Sequence, residues 1–254
     1  MQGPDQKRAL VVERVSKSFG GVHAIRHVDV SVPVGERRAL IGPNGAGKST
    51  LFNLIAGEMT ADEGRIAIFD VNVTRGSARE RARLGLGRTY QISQLFPNLT
   101  VEEHLFLGGV ALRGLTFTFF RKWEGNRADR EWAWKIAEAV GLQGHLQMQV
   151  KELSHGLQRQ LELGIAMAMR PRLIMLDEPA AGLSPAERAT LTSLIQALPK
   201  EVTLVLIEHD MEIVMEIAER ITVLHHGILV AEDTPAGIRS NQEVQRIYLG
   251  SSHV

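Results

Sequence analysis

Cysteine is absent from all 254 residues. Disulfides, thiolate zinc sites and cysteine nucleophiles are excluded with it. Charge of one sign is also lacking: 29 basic residues balance 29 acidic ones. A zero formal charge offers no electrostatic footing for nucleic acid, whose binders carry a basic surplus or stripe. It favours docking or self-association over colloidal repulsion. Long apolar runs are missing too. The richest stretches, Leu115–Phe120 and Val202–Ile207, fall far short of a membrane span. The opening MQGPDQKR is polar, without the apolar centre of a secretory signal. A role at a membrane therefore requires binding to something embedded there.

What is present is an ordinary globular composition, 44% hydrophobic and 23% charged. The length suits one large α/β domain, or a core with a smaller lobe. Ala9–Phe19 and Val28–Val34 are valine-rich and partly alternating, predicting half-buried antiparallel strands. Arg38–Ile41 reads as a strand running into GPNGAGKST, with a helix beyond it burying Leu51, Leu54 and Ile55. Arg65–Phe69 reads as another strand. From about Thr89 to Gly156 strand signals fade, and Trp132, Ile136 and Val140 recur at helical spacing. This region reads as an inserted helical lobe, with Glu124–Arg127 as a loop within it. A helix to about Met169 follows, then buried strands at Arg172–Leu176 and Val202–Ile207. Ser184-Pro-Ala-Glu187 has the form of a capping box opening a helix. Ile221–Leu224 and Ile228–Val230 flank a His-Gly turn, and a short helix ends near Tyr248. Strands alternating with helices predict a mostly parallel sheet covered on both faces.

Gly42, Pro43, Asn44, Gly45, Ala46, Gly47, Lys48, Ser49 and Thr50 match the phosphate-loop pattern in full, with a strand before and a helix after. Glycines allow the backbone close to phosphate oxygens, and successive N–H groups at a helix start attract the anion. Lys48 would neutralise β- and γ-oxygens, and the Ser49 hydroxyl would hold magnesium. Leu173–Glu178 is an apolar strand delivering two adjacent acids to the sheet edge where ligands collect. Asp177 would support the metal shell, and Glu178 would orient the attacking water.

Leu153-Ser154-His155-Gly156-Leu157-Gln158 precedes a helix, and Ser154, Gly156 and the helix start make a second phosphate-seeking surface. Taken alone it reads first as a serine cap before a helix. His209 follows a buried strand and could reach a γ-phosphate, although a lone histidine there is more often structural. Gln91, where sheet texture gives way to helical texture, could touch magnesium and the water, or be a solvated loop residue. Phe19 could stack on adenine or pack in the core.

These motifs, in this order, resemble the nucleotide-binding subunits of ABC transporters over nearly the whole chain. The resemblance makes Phe19 an adenine-stacking residue, Gly42–Thr50 the Walker A loop and Gln91 the Q-loop. It makes Leu153–Gln158 the signature, Leu173–Glu178 Walker B, Ala181–Ser184 the D-loop and His209 the switch. Leu95–Glu103, Glu178–Leu183, Ile207–Met211 and Val244–Gly250 are similar to the LivG-type ATPases of branched-chain amino-acid importers, whose near relatives move urea and short amides. The implied fold is α/β: a P-loop NTPase core at 1–90 and 157–254, with a mixed, mostly parallel sheet and an antiparallel N-terminal β part. A helical lobe at 91–156 carries the signature, and the whole is a single ABC ATPase domain.

The resemblance also implies ATP and Mg2+ as cofactors. The implied partners are integral membrane permease subunits, a second ATPase subunit (a different, LivF-like chain) and, indirectly, an extracytoplasmic solute-binding protein. It places the chain at the cytoplasmic face of the plasma membrane as a peripheral subunit, with catalysis by Glu178, His209 and Gln91 and metal contacts at Ser49, Gln91 and Asp177. Two departures stand out. The usual Ser-Gly-Gly-Gln is Ser154-His155-Gly156-Leu157 here, which predicts weakened but not abolished phosphate contact. The D-loop ends in Ser184 rather than aspartate, which removes a charge from the implied dimer interface. A GTPase is excluded for want of an Asn-Lys-x-Asp element. A small-molecule kinase would not account for the signature or His209. A non-transport ABC ATPase and an exporter, such as one for lipopolysaccharide, are the alternatives to import.

Overall fold

Two sheets share one hydrophobic interior in the computed structural model, which describes residues 7–89, 95–111 and 127–250. β1 (Arg8–Phe19) and β2 (Val22–Pro33) form a long antiparallel hairpin. β4 (Glu63–Ile68) pairs antiparallel with β1, and β5 (Val71–Asn72) closes this four-stranded sheet. β2 begins six residues earlier than the valine pattern predicts. Its first residues, Val22–Ile25, pair through an irregular register against Lys17–Phe19, and such bulging hides the alternation.

The second sheet has six strands in the order β10-β9-β3-β8-β7-β6. β3 (Arg37–Ile41) lies between β9 (Arg220–His225) and β8 (Thr203–Ile207), both parallel to it. β7 (Leu173–Asp177) and β6 (Leu86–Arg88) continue in parallel, and β10 (Ile228–Asp233) is an antiparallel edge. All five residues of β7 and of β8 are buried, as expected for parallel strands covered on both faces. The expected α/β architecture, antiparallel N-terminal part included, is what the structure has.

α1 (Lys48–Ala56) follows β3 and buries Leu51, Phe52, Leu54 and Ile55 between the two sheets. Each such side chain contributes roughly 1.5–3 kcal/mol. Opposite, α3 (Val101–Val110), α4 (Arg127–Ala139) and α5 (His155–Ala168) pack on one another. Their apolar faces, with Leu105, Ile136, Val140 and Leu161, run into one cluster with Ile174 and Leu204 of the parallel sheet. The predicted helical texture around Trp132, Ile136 and Val140 is α4 and its end. α6 (Pro185–Gln196) opens on the predicted capping box: the Ser184 hydroxyl accepts from Glu187 N–H, and the Glu187 carboxylate accepts from Ser184 N–H. α7 (Met211–Ile217), α8 (Pro235–Ser240) and α9 (Gln242–Gly250) cover the far side of the sheet. Gln91, the Glu124–Asn126 part of the loop and the apolar stretch Leu115–Phe120 lie outside the described residues.

A buried arginine fastens the end of α1. α2 (Ala78–Arg83), a helix the sequence reading did not include, carries Arg81, which is almost wholly buried. Its guanidinium donates to the carbonyls of Leu54 and Ile55 in the last turn of α1, and to those of Val73 and Gly76. A cation suits the negative end of a helix. Burial pushes the Arg81 pKa down to about 10, so it stays charged at neutral pH. Arg81→Met keeps the stem but takes the guanidinium donor from four carbonyls, of which Val73 and Leu54 keep a backbone N–H. We expect a loss of about 3 kcal/mol, read from the midpoint of urea unfolding; an unmoved midpoint would contradict this account of α1.

Candidate nucleotide site

The loop from Gly42 to Gly47 leaves the C-terminal end of the central strand β3, and α1 starts at Lys48. Ligands collect at such strand ends. The glycines differ in their reasons. A Cβ at Gly42 would lie 2.2 Å from the Leu224 carbonyl oxygen, and one at Gly47 2.6 Å from that of Ala24. Those two are required by the fold's own packing. Gly45, with φ of +77°, has nothing within 4 Å of a Cβ position, so its backbone faces open space.

That space is a cleft of about 460 Å³ lined by Asn44–Thr50, Glu178, His226 and the β2 residues Val22, His23, Ala24 and Arg26. Lys48 is buried, its Nζ donating to the carbonyls of Gly42 (2.6 Å) and Pro43 (3.0 Å). Burial presses its pKa down while Glu178 and Asp177 pull it up. Ser49 is exposed at the first turn of α1.

Asp177 ends β7, buried, with its N–H donating to Thr89 Oγ1 (3.4 Å). Burial pushes its carboxyl above the usual range; Arg88 opposes the rise and Glu178 adds to it. Glu178 leaves the strand in the left-handed region, at φ of +45°, its N–H donating to Ile207 O (2.9 Å). This turn sets it on the cleft wall. His209, 63% exposed, follows β8 and brings Nδ1 to 3.8 Å from Glu178 Oε1. The structure therefore brings Gly42–Thr50, Asp177, Glu178 and His209 to one sheet edge.

Sequence reasoning missed Glu208. Its side chain is 1% exposed, and it accepts N–H bonds from Ala180 (3.0 Å), His209 (3.1 Å) and Asp210 (3.5 Å). Burial pushes its carboxyl upward against those bonds. It also lies 3.7 Å from His209 Nδ1, so it ties the loop after Glu178 to the loop bearing His209. The only sequence signal was an acid beside His209 at a buried strand's end. His23, Arg26 and His226 were missed as cleft walls; nothing local marks them.

Phe19 is 47% exposed at the β1–β2 turn, and the cleft is walled by its hairpin neighbours rather than by Phe19 itself. Ser154 and Gly156 do not line the cleft. Ser154 caps α5 by accepting from Leu157 N–H (3.3 Å). Leu157 packs against the helical cluster. Gln91 falls outside the described residues.

Comparison with known proteins agrees with this geometry. The ABC transporter family profile matches residues 25–181, and a profile for branched-chain amino acid ATP-binding cassette transporters matches residues 229–254. The chain is 38% identical to the high-affinity branched-chain amino acid transport ATP-binding protein LivG of Escherichia coli K12, over 96% of this chain and 98% of that protein. It is 39% identical to BraF of Pseudomonas aeruginosa, with the same coverage. Among solved structures, an ABC-transporter ATP-binding cassette in its ADP conformation superposes with a TM-score of 0.85 at 32% identity, covering 96% of this chain and 99% of that one. This chain belongs to the ATP-hydrolysing, ATP-binding subunits of ABC transporters, of the branched-chain amino acid type that includes LivG and BraF.

Proposed function

We propose that this subunit powers uptake of branched-chain amino acids through membrane subunits, working as one of two ATPases at the cytoplasmic face of the membrane. The observation that carries the solute class is the match of residues 229–254 to the branched-chain profile. Among the described residues no helix is long and apolar enough to cross a membrane, which suits a subunit held by embedded partners.

ATP enters the cleft with its phosphates on the Gly45–Ser49 backbone. Lys48 Nζ exchanges the carbonyls of Gly42 and Pro43 for β- and γ-oxygens, an exchange of two neutral acceptors for charged ones. Magnesium fits the donor set. Asp177 is a buried acid pushed up in pKa beside Glu178, and the exposed Ser49 lines the cleft with Glu178. Asp177 and Ser49 would hold the ion. Bound there, it would neutralise phosphate charge and so supply electrostatic stabilisation. Glu178 orients and accepts a proton from the attacking water, and His209 holds the γ-phosphate. Glu208 fixes the backbone on either side of that pair.

The signature, Leu153–Gln158, lies outside this cleft and completes the partner's site when two ATPase subunits meet. Gln91 and the helical lobe at 91–156 carry the motion to the permease. Leu95 belongs to the lobe's own cluster, whereas Phe96 is exposed and open for docking. Glu178→Gln protein, tagged and loaded with ATP and magnesium, should recover two integral membrane proteins and a second ATPase from solubilised membranes of the native host. Recovery of soluble partners alone would remove the transport role.

A further inference from the structure

The donor that the signature offers is already occupied. Gly156 N–H, in the first turn of α5, donates to Glu187 Oε1 at 3.1 Å. Glu187 comes from α6, thirty-one residues on in sequence. Its other oxygen, Oε2, accepts from the Ser184 N–H (3.0 Å) and hydroxyl (2.8 Å). One carboxylate thus serves two helices, capping α6 with one oxygen and α5 with the other. The approach is close: a Cβ at Gly156 would lie 2.5 Å from Glu187 Oε1, so a larger residue here would push that carboxylate aside. Hydrogen bonds from Ser184 hold the Glu187 carboxyl below its usual range, so it is charged at neutral pH. The neighbouring His155, in place of the usual glycine, brings Nε2 to 3.3 Å from the Ala181 carbonyl of the D-loop. The signature tip is therefore pinned to the D-loop and to the helix beyond it.

We propose that Glu187 is a positioning residue for the partner's ATP: its carboxylate holds Gly156 N–H in the free subunit, where the incoming γ-phosphate must take it. This rests on the signature completing a partner's site. An N–H has one hydrogen, so carboxylate and phosphate compete for it, and the two anions repel at close range. Closure on ATP therefore requires Glu187 to withdraw, or to share the donor at a cost. The withdrawal pulls on Ser184 and the D-loop, which reports occupancy at the partner's site to this chain's own Glu178 turn.

Glu187→Gln separates charge from shape. Glutamine has one acceptor oxygen, so it can keep the Ser184 bonds or the Gly156 bond but not both. The test uses the whole complex with Glu178→Gln as parent, so that ATP is trapped rather than consumed. Adding Glu187→Gln should lower the ATP concentration for half-maximal occlusion on the order of fivefold. A purely structural role predicts the opposite: a looser α5 start, and equal or weaker occlusion. Half-saturation that is unchanged or raised overturns the proposal. Ser154→Arg is the control that separates the two layers. If it removes one of two occluded nucleotides, the signature does complete a partner's site, and the Glu187→Gln result then decides the proposal alone. If both nucleotides remain occluded, the signature reading fails and the proposal fails with it.

Discussion

Glu178→Gln should bind ATP near-normally while its turnover falls by about 10²–10⁴-fold. The geometry isolates the effect. Glu178 stands on the cleft wall at the end of β7, held by its own N–H to Ile207 and by a left-handed turn. Glutamine keeps that length and can keep the backbone conformation, but it cannot accept a proton from water. Nucleotide affinity is expected from the loop and Lys48, which line the same cleft. Single-turnover hydrolysis beside equilibrium ATP binding measures both. Hydrolysis within threefold of the parent would remove Glu178 from the water-activating role and direct attention to Glu208 and His209.

Lys48→Ala should weaken ATP binding by about 10²-fold or more. Lys48 is a buried ammonium whose charge is opposed by desolvation and supported by Asp177 and Glu178. Without nucleotide it satisfies itself on the two carbonyls that begin the loop. Removing it leaves those carbonyls without their donor and the acid pair with Arg88 as its remaining cation, while the phosphates lose a charge-assisted bond. The acids then repel the triphosphate instead of being offset. Calorimetric titration with ATP reads the loss. Affinity within threefold of the parent would mean that the loop backbone alone holds the phosphates.

The phosphate loop was legible because its determinants are contiguous: a strand, six loop residues and the first turn of a helix. The buried strands were legible for the same reason, since β7 and β8 are short unbroken apolar runs. So was the cap of α6, whose two partners sit three residues apart. What escaped is non-local or irregular. Glu208 gains its meaning from an N–H on Ala180, in another loop. Arg81 gains its own from carbonyls on α1. The Gly156–Glu187 contact joins two helix starts that each look self-sufficient in sequence. Phe19 shows the same limit: hydrophobic pattern left core packing open, and the residue is exposed at the β1–β2 turn.

Uptake of radiolabelled leucine, isoleucine and valine by the native host tests the central claim most directly. Deleting this chain should abolish the high-affinity component, and supplying the parent sequence, but not Glu178→Gln, should restore it. Unchanged high-affinity uptake of all three after deletion would contradict the account.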